Sequence, residues 1–213
     1  KMSTYLVAFV IGELEVTEVG SVGDTQIRII HRPGFSHQTS FAGTAGMKIL
    51  EFFENYYQIP YPGSKLDLIA IPDFAMGAME NVGAVTFRES LLLIDESKAT
   101  RQELSRSVSV IAHELAHMWF GDLVTMKWWD GIWLNEAFAS LMEAIAANGT
   151  YPEFDQWSEM NLSRSAGFGV DSLKNSRPVE FEVETPEQAE EMFDVLTYEK
   201  GSTVLRMFEM FVG

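Results

Sequence analysis

Residues 110–125 read VIAHELAHMWFGDLVT, and they hold two of the four histidines of this 213-residue chain, four positions apart, with a glutamate directly after the first. Apolar positions recur around them at helical spacing, so Arg101–Phe120 reads as one helix. In a helix, residues four apart stand one above the other on the same face, about 6 Å apart along the axis. His113 and His117 can therefore grip one ion. Glu114, next to a ligand, can reach a water at that ion without binding it, which is the arrangement of H-E-x-x-H metallohydrolases.

Composition narrows the chemistry around this pattern. Fifteen Lys and Arg against 31 Asp and Glu give a formal charge of -16, which repels phosphate backbones and anionic lipid, so nucleic acid and membrane partners are set aside. The chain has no cysteine, so a metal here must be held by histidine and carboxylate. Hydrophobic content of 46% is that of a folded globular chain. No apolar run approaches the roughly 18–20 residues of a membrane span, and residues 1–12, KMSTYLVAFVIG, lack the pattern of an export signal. A cytoplasmic location is the corresponding expectation. Asn148-Gly-Thr and Asn161-Leu-Ser match a glycosylation pattern by chance.

Along the chain, strands come first and helices after them. TYLVAFVI (4–11), TQIRIIHRP (25–33), KLDLIAIPDF (65–74) and GAVTFRESLLLID (83–95) read as strands, with a helix over 38–57 between the second and third. The Gly-rich segment MGAMENVG (76–83) joins the last two strands. From Thr100 onward the reading is helical: Arg101–Phe120, Trp133–Asn148, Pro152–Ser163, Pro186–Met192 and Tyr198–Phe211, with SLKNSRPVEFEVETPE as a linker-like stretch. The fold class is α+β, a small mixed sheet followed by a helical subdomain.

Catalytic zinc takes three protein ligands and keeps one position open, so a third His, Asp or Glu is required. The metzincin continuation fails, because Phe120 and Leu123 stand where its Gly and His belong. A carboxylate early on the next helix is the other route, and Glu136 in WLNEAFASLMEA lies 19 residues beyond His117.

These motifs together carry a resemblance. HELAH, then Glu136 within WLNEAFA, with GAMEN at 77–81 and IPYP, IPDF, FRES, GDLVTMKWWD and MFDVLTYEKGSTVLRM in order, resembles the M1 family of zinc aminopeptidases over nearly the whole chain. The resemblance implies a thermolysin-like catalytic domain holding one Zn²⁺ per chain on His113, His117 and Glu136. It implies that Glu114 is the general base, and that Tyr198, in LTYEKG, hydrogen-bonds the oxyanion. It further implies that Gly77, Ala78, Met79, Glu80 and Asn81 bind substrate, with Glu80 on the free α-amino group of a peptide. A carboxylate against a desolvated ammonium makes a strong charge-assisted hydrogen bond, and such an enzyme counts from the N-terminus. The neighbouring segment can pair with substrate main chain as an added strand.

By the same resemblance residues 1–12 are the end of a saddle-shaped N-terminal β domain, and 13–213 are the catalytic domain, cut short at its C-terminal end. The chain then reads as a fragment whose partners are peptides with a free N-terminus and the remaining domains of the full-length enzyme. Competing readings are a thermolysin-type endopeptidase, which has no need of Glu80, and a non-catalytic peptide-binding module, which has no need of Glu114 or Tyr198. Epoxide hydrolysis is disfavoured because Ala78 stands where that branch of the family has glycine. Trp119, Trp128, Trp129 and Trp133 read as packing and wall residues, and His31 and His37 as surface residues. Glu143 can orient a metal ligand, although a salt-bridged helix glutamate is the plainer reading.

Overall fold

The computed structural model describes residues 2–212. Among these, five strands form one sheet in the order β1-β2-β3-β5-β4. Strands β1 (Glu15–Val22) and β2 (Thr25–His31) make an antiparallel hairpin closed by Gly23 and Asp24. Gly23 has φ of 52°, the left-handed conformation that tight hairpin connections demand. β3 (Lys65–Ile71) runs parallel to β2, and β5 (Ala84–Arg88) runs parallel to β3. The two-residue β4 (Ala78–Met79) lies antiparallel on the outside of β5, as the last strand of the sheet.

Helix α1 (Ser40–Tyr57) covers the sheet, and Ile49, Leu50 and Phe53 on its inner face meet Ile27, Ile29, Leu66, Leu68 and Val85 in one core. A short turn, α2 (Glu89–Leu92), leads to α3 (Arg101–His117), whose start is fixed by a reciprocal Thr100/Glu103 capping box. Leu115 and Ile111 bury one face of α3 in that same core, which leaves His113 and His117 turned toward α4 (Ile132–Thr150). α5 (Gln156–Asp171) and α6 (Pro186–Glu191) follow, and then a wide π-type turn over Leu196–Lys200 runs directly into α7 (Gly201–Val212). Gly201 allows that junction: a Cβ there would come within 2.6 Å of the Ala137 Cβ on α4. None of the described helices is long and apolar enough to cross a membrane.

The α+β expectation agrees with the structure, and several local expectations do not. Residues 4–11 are not a strand: Thr4–Leu6 is a single 3-10 turn, and Phe9 and Ile11 beyond it are exposed. β-propensity without a neighbouring strand to bond has nothing to stabilise it. The segment instead crosses the 77–81 region, where the Leu6 carbonyl accepts a hydrogen bond from Asn81 Nδ2. The strand expected over 83–95 stops at Arg88, because Glu89–Leu92 turns helical and buries Leu92; short apolar runs do not distinguish the two. The helix expected over 152–163 begins only at Gln156, since Asp155 adopts a left-handed φ of 54°, and it then extends to Asp171.

His31 is also corrected. It is fully buried rather than on the surface, with Nε2 2.8 Å from Thr17 Oγ1 and Nδ1 2.8 Å from the Arg32 carbonyl. It shares the inward face of β2 with Thr25, Ile27 and Ile29. His37 is exposed, as expected.

Candidate active site and metal centre

The last turns of α3 and the first turns of α4 meet side by side, and this contact builds the site. His113 Nε2 and His117 Nε2 lie 3.1 Å apart, and Glu136 Oε2 is 3.2 Å from each. Two donors at tetrahedral angles around an ion about 2.0–2.1 Å away sit roughly 3.3 Å apart, so the triangle has the size of a metal seat. Among the described residues these three form the group of His and carboxylate side chains able to hold an ion.

The outer nitrogens fix what the inner ones present. His117 Nδ1 is 2.9 Å from the Phe120 carbonyl, which only accepts, so this nitrogen carries the hydrogen. His113 Nδ1 is 3.1 Å from Glu143 Oε2 and donates to that carboxylate, whose other oxygen accepts from Ser109 Oγ. With those hydrogens on Nδ1, the rings in their neutral form would aim bare Nε2 lone pairs at each other and at a carboxylate oxygen. Three electron-pair donors in contact repel unless a positive centre, proton or metal ion, lies between them. The electrostatics agree. Burial alone would lower the histidines, but Glu136 and Glu143 hold His113 well above its ordinary pKa, and Glu136 and Glu80 push His117 up to about 9. Burial would raise Glu136, yet the two imidazoles hold it far below the usual carboxylate range.

Glu114 projects into the same cleft and binds none of these groups. It is 6% exposed, and its Oε2 is buried without a hydrogen-bond partner. Burial pushes its carboxyl up to about 8, against the pull of both histidines. Tyr198, on the π-type turn, lays its ring over His113 with centroids 5.9 Å apart. Burial first, and then the charges of Glu136, Glu114 and Glu80, raise the phenol far above its ordinary value, so it stays a hydrogen-bond donor. π-turns of this kind are frequent at functional sites.

The turn that carries Tyr198 is pinned from its start. Asp194 Oδ1 accepts from the Leu196 and Thr197 amides, each at 3.0 Å, and from Arg177 Nη2 at 2.6 Å. Arg177 comes from the stretch that reads as a linker. That stretch also supplies Val183, whose carbonyl accepts from Trp128 Nε1 at 2.8 Å.

A cleft of about 540 Å³ joins these parts and is lined by Ala78, Met79, Glu80, His113, Glu114, His117, Glu136 and Tyr198. Trp128 and Trp129 form part of its wall, whereas Trp119 is buried in the core. A larger cleft of about 900 Å³ lies behind Glu143 and is lined by neither His113, His117 nor Glu136, so its size carries no chemistry. Glu80 follows edge strand β4, is 5% exposed, and accepts a 2.5 Å hydrogen bond from the Tyr5 hydroxyl. Asn81 is engaged on both sides, donating to the Leu6 carbonyl and accepting from Thr86 Oγ1 at 2.9 Å. Gly77 bonds the Arg88 amide through its carbonyl, outside β4 proper.

One participant carries no sequence signal, and another sits inside a quoted motif that does not single it out. Tyr5 lies 75 positions from Glu80 and belongs to no motif spacing. Asp122, within GDLVTMKWWD, is half-buried with both carboxylate oxygens shielded and unbonded, and burial, then the charge of Glu80, pushes it up to about 8. Glu143 lies 3.1 Å from His113 Nδ1, a contact that its place on α4 allowed but that the plainer reading, an exposed or salt-bridged helix glutamate, did not expect.

Two imidazoles and a carboxylate placed so that they could hold an ion, with a buried glutamate beside them, are the donor set that metal-dependent hydrolases use. The chain belongs to peptidase family M1, whose domain model matches residues 41–213. It is 47% identical over 215 residues to endoplasmic reticulum aminopeptidase 2 of Homo sapiens, covering all of this chain and 22% of that one. Puromycin-sensitive aminopeptidase of Caenorhabditis elegans is 45% identical over 208 residues, 97% of this chain and 22% of the relative. Aminopeptidase M1-A of Oryza sativa is 43% identical over 212 residues, all of this chain and 24% of the relative. The chain thus spans about a quarter of the length of the curated relatives it matches.

Proposed function

We propose that this chain carries the catalytic centre of a zinc aminopeptidase that removes N-terminal residues from peptides. The observation that carries the reading is Glu80: a buried carboxylate at the end of an edge strand, in the same cleft as His113, His117 and Glu136. His113, His117 and Glu136 would hold one zinc, the ion that two imidazoles, a carboxylate and no thiolate suit in an open catalytic site. A zinc bound there would supply Lewis acidity, lowering the pKa of water toward about 7 and polarising the scissile carbonyl.

The protein groups do the rest. Glu80 receives the substrate ammonium and sets which peptide bond reaches the reacting centre, while the free edge of Ala78 and Met79 can take the substrate main chain as an added strand. Glu114 accepts the proton of the attacking water and returns it to the leaving amine. Tyr198 donates to the carbonyl oxygen as negative charge builds on it. Peptides with a free N-terminus are the substrates in this reading, and the remaining domains of a full-length enzyme are the partners that wall the cleft.

The test is a matched pair of peptides, one with a free N-terminus and one N-acetylated. Zinc-loaded protein should cleave the free-amine peptide and leave its acetylated twin nearly untouched, and Glu80→Ala should raise KM and lower kcat for the former. Equal rates on the two peptides would point to an endopeptidase and overturn the reading. Tyr198→Phe should lower kcat by about 10²–10³-fold, the usual cost of one oxyanion donor. KM should move much less, because a ground-state carbonyl is a weaker partner than an oxyanion. A variant within about threefold of wild type would return Tyr198 to the role of a packed aromatic.

A further inference from the structure

The amine site contains a residue from the N-terminal segment. Tyr5 sits in the Thr4–Leu6 turn, and the residue after it is tied down. Leu6, next to it, is buried and accepts through its carbonyl from Asn81, the residue after Glu80. The Tyr5 ring meets the Trp129 ring edge-on, with centroids 5.2 Å apart. Its hydroxyl then reaches the cleft and donates to Glu80 Oε1 at 2.5 Å.

This contact decides how Glu80 can behave. A glutamate side chain has three rotatable bonds, and holding it in one orientation costs conformational entropy at the moment a ligand binds unless something holds it beforehand. Oε1 is taken by Tyr5, and Oε2 has no hydrogen-bond partner among the described residues. The free oxygen is therefore presented from a fixed position. A phenol has one hydrogen to give, and burial together with the charge of Glu80 raises its pKa well above the ordinary value. It remains a donor to the carboxylate and does not compete with it for the ammonium charge.

We propose that Tyr5 is a positioning residue of the amine site, holding Glu80 through Oε1 so that Oε2 meets the substrate ammonium. This rests on the reading of Glu80 as the amine anchor. It makes the N-terminal segment a working part of the site: the segment's backbone fixes Asn81 and its side chain fixes Glu80.

The test compares two probes that differ only in the amine, leucine hydroxamic acid and 4-methylpentanohydroxamic acid. Their affinities are measured by calorimetry on zinc-loaded wild type, Tyr5→Phe and Glu80→Gln. Phenylalanine keeps the ring against Trp129, and zinc content and melting temperature check that the variant is folded. Tyr5→Phe should weaken the amine-bearing probe by about 3- to 10-fold, the range for releasing one immobilised side chain, and leave the des-amino probe within about twofold. Glu80→Gln should weaken the amine-bearing probe further. Equal weakening of both probes by Tyr5→Phe would mean a merely structural tyrosine. No change in Tyr5→Phe, with a selective loss in Glu80→Gln, would overturn the role of Tyr5 and leave the anchor intact. If Glu80→Gln also treats the two probes alike, the anchor reading fails and this inference fails with it.

Discussion

Glu114→Gln is expected to lower kcat by about 10²–10⁴-fold, the range for losing a positioned general base, while the protein keeps its zinc. Glutamine preserves the shape of the side chain and removes only its capacity to take a proton. The geometry separates this residue from the ligands: Glu114 is buried in the cleft and bonds neither histidine, and its Oε2 is without a partner. Burial pushes its pKa to about 8, near the working range in which a carboxylate can both accept and return a proton. Elemental analysis beside steady-state kinetics checks both halves. A variant that keeps its rate would remove Glu114 from the chemistry.

Glu136→Gln should behave in the opposite way, losing the metal and with it the activity. Glu136 is the anionic member of the triangle, 3.2 Å from both Nε2 atoms, and its charge draws a cation between two lone pairs. An amide oxygen offers no such charge. Loss of a partner outside the ligand set costs roughly 10–100-fold in metal affinity, and loss of a ligand should exceed that. Zinc remaining after dialysis against a competing chelator measures the difference. Equal zinc loss in Glu114→Gln and Glu136→Gln would contradict the separate roles.

The parts of the site that were legible in the sequence are those set by local geometry. His113 and His117 are four apart on one helix, and helical spacing alone puts them on one face. Glu136 was reachable as a carboxylate on the next helix, although only the packing of α3 against α4 brings its oxygen to both nitrogens. Glu80 and Tyr198 have no spacing that ties them to His113, and resemblance alone pointed to them. Tyr5 had neither signal, since a tertiary crossing brings it to Glu80.

The fold divides along the same line. α3 and α4 were readable from apolar period and α6 from the Pro at its first turn, and the structure adds capping boxes at Thr100 and Thr185 that fix two of their starts. β1 was missed because its residues, EVTEVGSV, are mostly exposed and polar, and its one cue was the two-residue connection to β2. TYLVAFVI misled in the other direction: its β-propensity is high, but among the described residues no strand pairs with it. His31 was taken for a surface residue although its parity with Ile27 and Ile29 marked the buried face.

The most direct measurement is anomalous X-ray diffraction from crystals of the protein grown with zinc, recorded on both sides of the zinc absorption edge. One peak per chain is expected, at the point bounded by His113 Nε2, His117 Nε2 and Glu136 Oε2. A strong peak elsewhere, or none between these three atoms, would contradict the assignment of this cleft as the metal centre.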